Sequence, residues 1–160
     1  MMTINATSYI WMDGALKPWR EASVHVMTHA LHYGTSFFEG VRVYETKEGP
    51  AAFRLKDHID RLYDSASVYG CVIPFEKQTI MTACEEVVTS NNLDSAYLRP
   101  IVFYGYGEIG PTPTPQLPVQ VAIAAVPLGA YLGEEARTKG VDVCVSSWRR
   151  LAPDTIPTAA

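Results

Sequence analysis

A stripe of apolar residues at helical spacing follows residue 54 and defines one helix of the fold. Successive members lie four, three, four and three residues apart, which is the period of an amphipathic α-helix, and Gly70 is placed to end it. The stripe consists of Leu55, Ile59, Leu62, Ala66 and Tyr69. A second helix is predicted after Pro74, with Ile80, Cys84 and Val87 on its buried side.

Strand patterns surround these two helices. Residues 9–12 and 15–18 flank Asp13-Gly14, a pair that supplies the positive φ angles of a type I′ hairpin turn. Residues 96–104 alternate, which places Tyr97 and Arg99 on the same face of a strand. The pattern therefore predicts an α+β fold with a mainly antiparallel sheet and two helices.

Four further segments have readable patterns. Residues 24–33 carry apolar side chains at helical spacing and end at Gly34, which predicts a helix. Residues 40–44 alternate as a strand. Residues 119–126 are almost continuously apolar, which is typical of a strand buried on both faces. Residues 141–148 read as one more strand.

Composition and charge exclude several classes of protein. The chain has 160 residues, of which 48% are hydrophobic and 19% are charged, so it can form a core and is not a disordered tail. The net charge is −4 without a basic run, which argues against nucleic acid as a partner. No apolar stretch reaches the ~20 residues of a membrane span. The three cysteines form no CxxC motif, which favours reduced thiols in a cytoplasmic protein.

Three histidines at i, i+4 and i+7 raise the question of a metal site. His25, His29 and His32 would share one face of the predicted helix. A zinc site of this kind needs further convergent ligands, and the residues between the histidines offer none. Ordinary hydrogen-bonded histidines are therefore the favoured interpretation, and no metal is expected.

Two arginines are candidates for binding an anion. Spacing alone favours a helix-surface salt bridge of Arg61 with Asp57 or Asp64 over a role in holding a phosphate or carboxylate. Arg99 lies within a strand, where burial of a guanidinium is costly unless an anion or a carboxylate meets it. A structural ion pair and a carboxylate receptor are equally compatible with Arg99.

Six segments, taken in order, resemble the N-terminal half of bacterial branched-chain amino acid aminotransferases, which are class IV pyridoxal phosphate enzymes. Each motif is weak by itself, but their shared order and matching gaps make the resemblance specific. The segments are His29–Gly34 (HALHYG), Phe38–Arg42 (FEGVR), His58–Leu62 (HIDRL), Ala96–Pro100 (AYLRP), Gly129–Gly133 (GAYLG), and Ser146–Trp148 with Pro153–Ala160.

The resemblance implies a domain organisation and a cofactor. Residues 1–128 would form the small α/β domain, residues 129–136 an interdomain loop, and residues 137–160 the beginning of the large cofactor-binding domain. The cofactor would be pyridoxal 5′-phosphate, held by a lysine directly after Ala160. No catalytic residue is therefore expected within residues 1–160, and this fragment alone is expected to be inactive.

The resemblance also assigns roles to individual residues. Arg61 matches the arginine that binds the cofactor phosphate, and Arg99 matches the arginine that receives the side-chain carboxylate of glutamate. The other substrate-binding positions are Tyr33 (reaching in from the neighbouring subunit), Phe38, Gly40, Arg42, Tyr97 and Tyr131.

The implied reaction is the transfer of an amino group from leucine, isoleucine or valine to 2-oxoglutarate, which yields branched-chain 2-oxo acids and glutamate. The implied enzyme is cytoplasmic and works as a homodimer or a multiple of dimers. Two alternatives stay open: a D-amino acid aminotransferase or aminodeoxychorismate lyase of the same class, and a non-catalytic ligand-binding module if the protein ends at Ala160.

Overall fold

An antiparallel sheet covered on one face by two helices forms the framework of the protein. The computed structural model describes residues 6–127, 134–152 and 155. The strands are β1 (Tyr9–Met12), β2 (Ala15–Pro18), β3 (Ser36–Phe38), β4 (Val41–Thr46), β5 (Gly49–Ala52), β6 (Ala96–Tyr104) and β7 (Val119–Pro127). The helices are α1 (His29–Tyr33), α2 (Leu55–Val68), α3 (Lys77–Ser90) and α4 (Glu134–Lys139), with a 3-10 turn at Trp19–Glu21.

The strands lie in the order β2-β1-β7-β6-β4-β5, and β3 also pairs with β6. Every pairing among the described strands is antiparallel. The longest ladder joins β6 to β7 along the whole length of both strands. This arrangement confirms the predicted α+β class with a mainly antiparallel sheet.

The helices α2 and α3 pack against one face of the sheet and bury the core there. Alternate residues of β4, β6 and β7 contribute to this face, because successive side chains of a strand point to opposite sides. Its fully buried strand residues are Val41, Ala96, Leu98, Pro100, Val102, Val121, Ile123 and Ala125. The predicted apolar stripes of the helices meet them with Ile59, Leu62, Ala66, Ile80, Cys84 and Val87.

The helices are too short to cross a bilayer. The two longest, α2 and α3, have 14 residues each. No helix in the described part of the chain is long and apolar enough to span a membrane.

The strand that runs along β6 is interrupted between β3 and β4. Both pieces pair with β6 in the same register, so Glu39 and Gly40 lie opposite Pro100 and Arg99. The Glu39 amide donates a hydrogen bond to the Pro100 carbonyl at 3.0 Å, which keeps the ladder together at the interruption. Glu39 therefore lies on the helix-covered side of the sheet, and Gly40 lies on the other side.

The predicted hairpin and the two long helices are confirmed. Asp13 and Gly14 have φ angles of 51° and 98°, as a type I′ turn requires. Gly70, with a φ angle of 66°, follows the end of α2. Asn91 caps the C-terminal end of α3.

The predicted helix over residues 24–33 is wrong in its first half, because α1 begins only at His29. Val24 and Leu31, two of the apolar residues at that spacing, are 42% and 63% exposed, so the spacing does not form a buried stripe. The end of the helix is confirmed, since Gly34 caps it in the left-handed conformation.

Two strand predictions need correction. In β7 only Val121, Ile123 and Ala125 are fully buried, so the strand is covered on one face and not on both. Residues 141–148 form no strand, and Val145 is fully exposed. A strand needs a neighbour for its N–H and C=O groups, and the described residues pair none with this segment.

Part of the predicted interdomain loop lies outside the described residues. Residues 134–136 of that loop are the first residues of α4. The boundaries of the domains stay a prediction.

We expect Ile123→Ala to lower the free energy of unfolding by about 2–5 kcal/mol, since it empties a fully buried position in the central strand β7. Urea denaturation would measure this loss. Val72→Ala is the matched control, because Val72 is 79% exposed and its truncation should change stability by less than about 0.5 kcal/mol. Equal losses in both variants would contradict the placement of the core.

Candidate functional site

The sheet face opposite the helices collects five of the predicted site residues. Arg42 lies opposite Tyr97 in the pairing of β4 with β6, and Gly40 lies opposite Arg99. Phe38, at the end of β3, is 58% exposed beside them. The alternation predicted for residues 96–104 thus places Tyr97 and Arg99 on one accessible face.

Arg99 is held by aromatic rings instead of an acidic partner. Its Nη2 donates a hydrogen bond to the Tyr97 hydroxyl at 2.5 Å. The guanidinium carbon lies 4.2 Å from the centre of the Phe38 ring and 5.1 Å from that of Tyr97. No carboxylate of the described residues forms an ion pair with it.

The Nε atom of Arg99 is buried and has no hydrogen-bond partner among the described residues. An unsatisfied buried donor of a charged group is costly, and the charge of Arg99 has no acidic partner to balance it. The structural ion pair is thus absent among the described residues, and the role of Arg99 as a carboxylate receptor stays a prediction.

Gly40 makes room for Tyr97. A Cβ atom at this position would lie 3.0 Å from two ring carbons of Tyr97 and closer still to its hydroxyl oxygen. Real Cβ atoms essentially never come that close to a neighbouring side chain. Glycine at position 40 thus lets the Tyr97 ring lie against the backbone, where its hydroxyl reaches Arg99.

Arg61 lies on the other side of the interrupted strand, in a cluster with Glu39 and His58 that we call the Glu39 cluster. The Nε and Nη2 atoms of Arg61 donate to the two carboxylate oxygens of Glu39 at 2.5 and 2.6 Å. The Nδ1 atom of His58 lies 2.9 Å from Oε2 of the same carboxylate. The predicted salt bridge of Arg61 with Asp57 or Asp64 is therefore wrong. Asp57 instead accepts a hydrogen bond from Arg54.

The electrostatics of the Glu39 cluster favour an ionised carboxylate. Burial by itself raises the pKa of Glu39, but the hydrogen bonds and charges of Arg61 and His58 outweigh it and hold that pKa below its ordinary value. The same hydrogen bond to Glu39 raises the pKa of Arg61. Both groups are therefore charged at neutral pH.

Arg61 retains donors that point away from Glu39. A guanidinium carries five N–H groups, and Glu39 takes one from Nε and one from Nη2. The side chain of Arg61 is 63% exposed, whereas that of Glu39 is only 7% exposed. The outer edge, formed by Nη1 and the second Nη2 proton, is thus open to an oxyanion such as a phosphate.

Tyr33 is held at the end of α1, where the Gly110 amide donates to its hydroxyl at 3.1 Å. Its ring packs against His29, whose two ring nitrogens bond with the Thr35 hydroxyl and the Gly110 carbonyl. His25 lies outside α1, so the predicted shared face of three histidines does not form. No cluster of metal-ligating side chains exists within residues 6–127 and 134–152. Tyr131 lies outside the described residues.

Sequence reasoning missed Glu39 and His58. One signal was available for Glu39, because it is the only acidic residue in a run of apolar and small side chains from position 36 to 41. A buried carboxylate of this kind needs a cationic partner. Its partner Arg61 is 22 residues away in sequence, which no local pattern indicates.

Comparison with known proteins gives a consistent result. Residues 36–159 match the family model for amino-transferase class IV. The chain is 51% identical over 159 residues to a branched-chain-amino-acid aminotransferase of Salmonella typhimurium, covering 99% of this chain and 52% of the relative. The corresponding protein of Pseudomonas aeruginosa is 50% identical over 141 residues, or 88% of this chain and 46% of the relative.

Solved structures agree with the sequence comparison. The branched-chain amino acid aminotransferase of Escherichia coli superimposes with a TM-score of 0.91 at 49% identity, over 95% of this chain and 50% of that one. A second branched-chain amino acid aminotransferase, solved with pyridoxamine 5′-phosphate, gives a TM-score of 0.88 at 47% identity over the same shares. The chain thus spans about half the length of the relatives that it matches.

We expect Glu39→Gln to destabilise the protein by about 1–3 kcal/mol at neutral pH, because it removes the buried charge that Arg61 and His58 bind. The folded-state pKa of Glu39 is lowered, so its contribution is complete above the ordinary value and is lost as pH falls through the folded value. Urea midpoints of both proteins should therefore converge as the pH falls from the ordinary carboxyl value of 4.5 through the lowered pKa of Glu39.

The control for this pH series is Glu45→Gln, since Glu45 is an exposed carboxylate on β4. A gap between wild type and Glu39→Gln that stays constant down to the lowest pH would show that folding does not lower the pKa of Glu39.

Proposed function

This chain belongs to the class IV aminotransferase family, and we propose that it forms the first half of an enzyme that transaminates leucine, isoleucine and valine with 2-oxoglutarate. The surroundings of Arg99 carry the proposal. They combine ring faces that suit a branched apolar side chain with one unsatisfied guanidinium that suits a carboxylate. The names of the relatives at about 50% identity support branched-chain amino acids as substrates, and the choice of 2-oxoglutarate rests on the guanidinium of Arg99.

The Arg99 site explains how one pocket accepts two unlike side chains. With leucine bound, the Tyr97 hydroxyl keeps its hydrogen bond to Arg99, and the Phe38 ring offers an apolar wall. With glutamate or 2-oxoglutarate bound, the side-chain carboxylate pairs with the guanidinium. Gly40 and Arg42 form the strand beneath this pocket, and Tyr131 would lie beside Arg99 in the complete enzyme.

Pyridoxal 5′-phosphate is the proposed cofactor, and the residues of this chain fit its phosphate. The outer edge of Arg61 presents free N–H donors to solvent, while Glu39 fixes the inner edge. When bound, the cofactor supplies the electron sink that weakens the bonds of the substrate's α carbon. We propose that the lysine that would hold it follows Ala160 in the complete enzyme, and that a second domain would supply the remaining phosphate contacts.

The proposed enzyme acts on free amino acids and 2-oxo acids as a homodimer or a multiple of dimers. Tyr33, which is 40% exposed at the end of α1, would complete the pocket of the neighbouring subunit. We place the enzyme in the cytoplasm, in agreement with the free thiols of Cys71 and Cys84 in its core.

For the full-length enzyme, we expect Arg99→Met to lower kcat/KM for glutamate and 2-oxoglutarate by about 30- to 1000-fold, or ~2–4 kcal/mol, because the side-chain carboxylate loses the guanidinium of Arg99. The leucine half-reaction, followed by single-turnover absorbance, should change by less than about tenfold. Arg20→Met, at an exposed arginine outside the site, serves as the control. Equal damage to both half-reactions would contradict the proposed substrates.

For Arg61→Ala, we expect the Kd of pyridoxal phosphate to rise about 10- to 100-fold, because a charge-assisted hydrogen bond worth ~1.5–3 kcal/mol is lost. Arg61→Lys should restore only part of this affinity, since an ammonium cannot make the two-pronged contact. Titration of the apoenzyme by cofactor absorbance would measure both effects. An unchanged affinity in Arg61→Ala would mean that Arg61 serves only the ion pair with Glu39.

A further inference from the structure

We propose that Glu39 is a positioning residue for the cofactor phosphate, because it fixes the inner edge of the Arg61 guanidinium and so aims the outer edge at the phosphate. This inference rests on the proposed function, since it assumes that Arg61 binds the phosphate. The side chain of Glu39 is 7% exposed and pairs with the inner edge of Arg61, so it would act on the phosphate through Arg61.

Glu39 has the rigidity that such a role requires. Its backbone is bonded to the Pro100 carbonyl in the interruption between β3 and β4. Its side chain is 7% exposed, and both carboxylate oxygens are occupied. A carboxylate anchored at its backbone and bonded through both oxygens cannot rotate freely.

His58 contributes to this anchoring from the same turn of α2 as Arg61. Its Nδ1 atom must carry a proton to bond with the Glu39 carboxylate at 2.9 Å. The 3.4 Å approach of that atom to Nη2 of Arg61 therefore joins two donors and is not a hydrogen bond. His58 thus acts on the carboxylate, and only through it on Arg61.

Arg61 needs an external constraint to hold one direction. Its side chain is 63% exposed, and an exposed arginine has many rotamers that phosphate binding must restrict. The fork between Arg61 and Glu39 restricts them before the cofactor arrives, so less conformational freedom is lost on binding. Preorganisation of this kind increases affinity without adding a contact to the phosphate.

The charge of Glu39 has an opposing effect, because a carboxylate repels a phosphate. Arg61 stands between the two anions, however, and its positive charge is shared by both. We infer that preorganisation outweighs the repulsion, so that neutralising Glu39 weakens phosphate binding. The two effects change the Kd of pyridoxal phosphate in opposite directions when Glu39 is neutralised, so the sign of the measured change shows which one is larger.

The test compares pyridoxal phosphate with pyridoxal, which lacks the phosphate, on the apo form of the full-length enzyme. Cofactor absorbance gives both Kd values for wild type, Glu39→Gln, Arg61→Ala and the double variant. We expect Glu39→Gln to raise the Kd of pyridoxal phosphate about five- to tenfold and that of pyridoxal less than about twofold. In the Arg61→Ala background, Glu39→Gln should no longer change the ratio of the Kd for pyridoxal to the Kd for pyridoxal phosphate.

Asp57→Asn is the matched control. Like Glu39→Gln, it removes one negative charge near Arg61, since Asp57 lies one turn earlier on α2. The Asp57 carboxylate pairs with Arg54 and not with Arg61. This variant should leave the ratio of the two Kd values unchanged. If Glu39→Gln fails to fold, which loss of pyridoxal binding would reveal, Glu39→Asp takes its place in the same cycle.

The outcomes separate this inference from the proposed function. A fall in phosphate preference with Arg61→Ala but not with Glu39→Gln, or tighter binding with Glu39→Gln, would overturn the positioning role alone. An unchanged preference in Arg61→Ala would overturn the phosphate role of Arg61 and the inference with it. A Glu39 effect that persists without Arg61 would overturn the positioning role too, because Glu39 would then act by another route.

Discussion

The register of β6 against its neighbours is the constraint on which the site depends. β6 pairs with β7 on one side and with β3 and β4 on the other, in one continuous register. Because side chains alternate along a strand, this register sends Leu98 into the core and Arg99 to the open face. A slip by one residue would exchange them, leaving a charge in the core and an apolar face in the site.

The interruption at Glu39-Gly40 gives the two faces of the sheet different polar clusters. On the helix side, Glu39 meets α2 and forms a charged cluster in which each hydrogen-bonding demand of the carboxylate is met. On the open side, Gly40 leaves space for Tyr97, and Arg99 keeps one donor unsatisfied. The Glu39 cluster, whose carboxylate is bonded through both oxygens, is suited to hold a fixed group. The surroundings of Arg99, which leave one donor without a partner, are suited to exchange ligands.

Local sequence patterns predicted the elements that depend only on neighbouring residues. The hairpin at Asp13-Gly14, both long helices and the alternation of residues 96–104 needed only turn chemistry and periodicity. The pattern over residues 141–148 failed because a strand also needs a partner, which periodicity does not report. The helical spacing over residues 24–33 failed in its first half, because its apolar residues do not form a buried stripe. The shared face of Tyr97 and Arg99 was predictable, because it follows from the alternation of side chains along one strand. The cluster of Glu39, His58 and Arg61 was not predictable, because it depends on a tertiary contact. The pairing of Glu39 with Arg61 depends on where α2 crosses the end of β3, and no residue spacing encodes that crossing.

The neighbours of Arg99 across the sheet have a consequence for how its side chain is held. Gly40 lies opposite it on one side and Ala124 on the other, so the strands beside β6 add no large side chain to this row of the sheet. The Tyr97 ring fills the space above Gly40, so β6 supplies both the guanidinium and the ring that carries its hydrogen-bond acceptor. The small neighbours thus make the surroundings of Arg99 a property of one strand, and any side chain at position 40 would displace the ring on which the guanidinium rests.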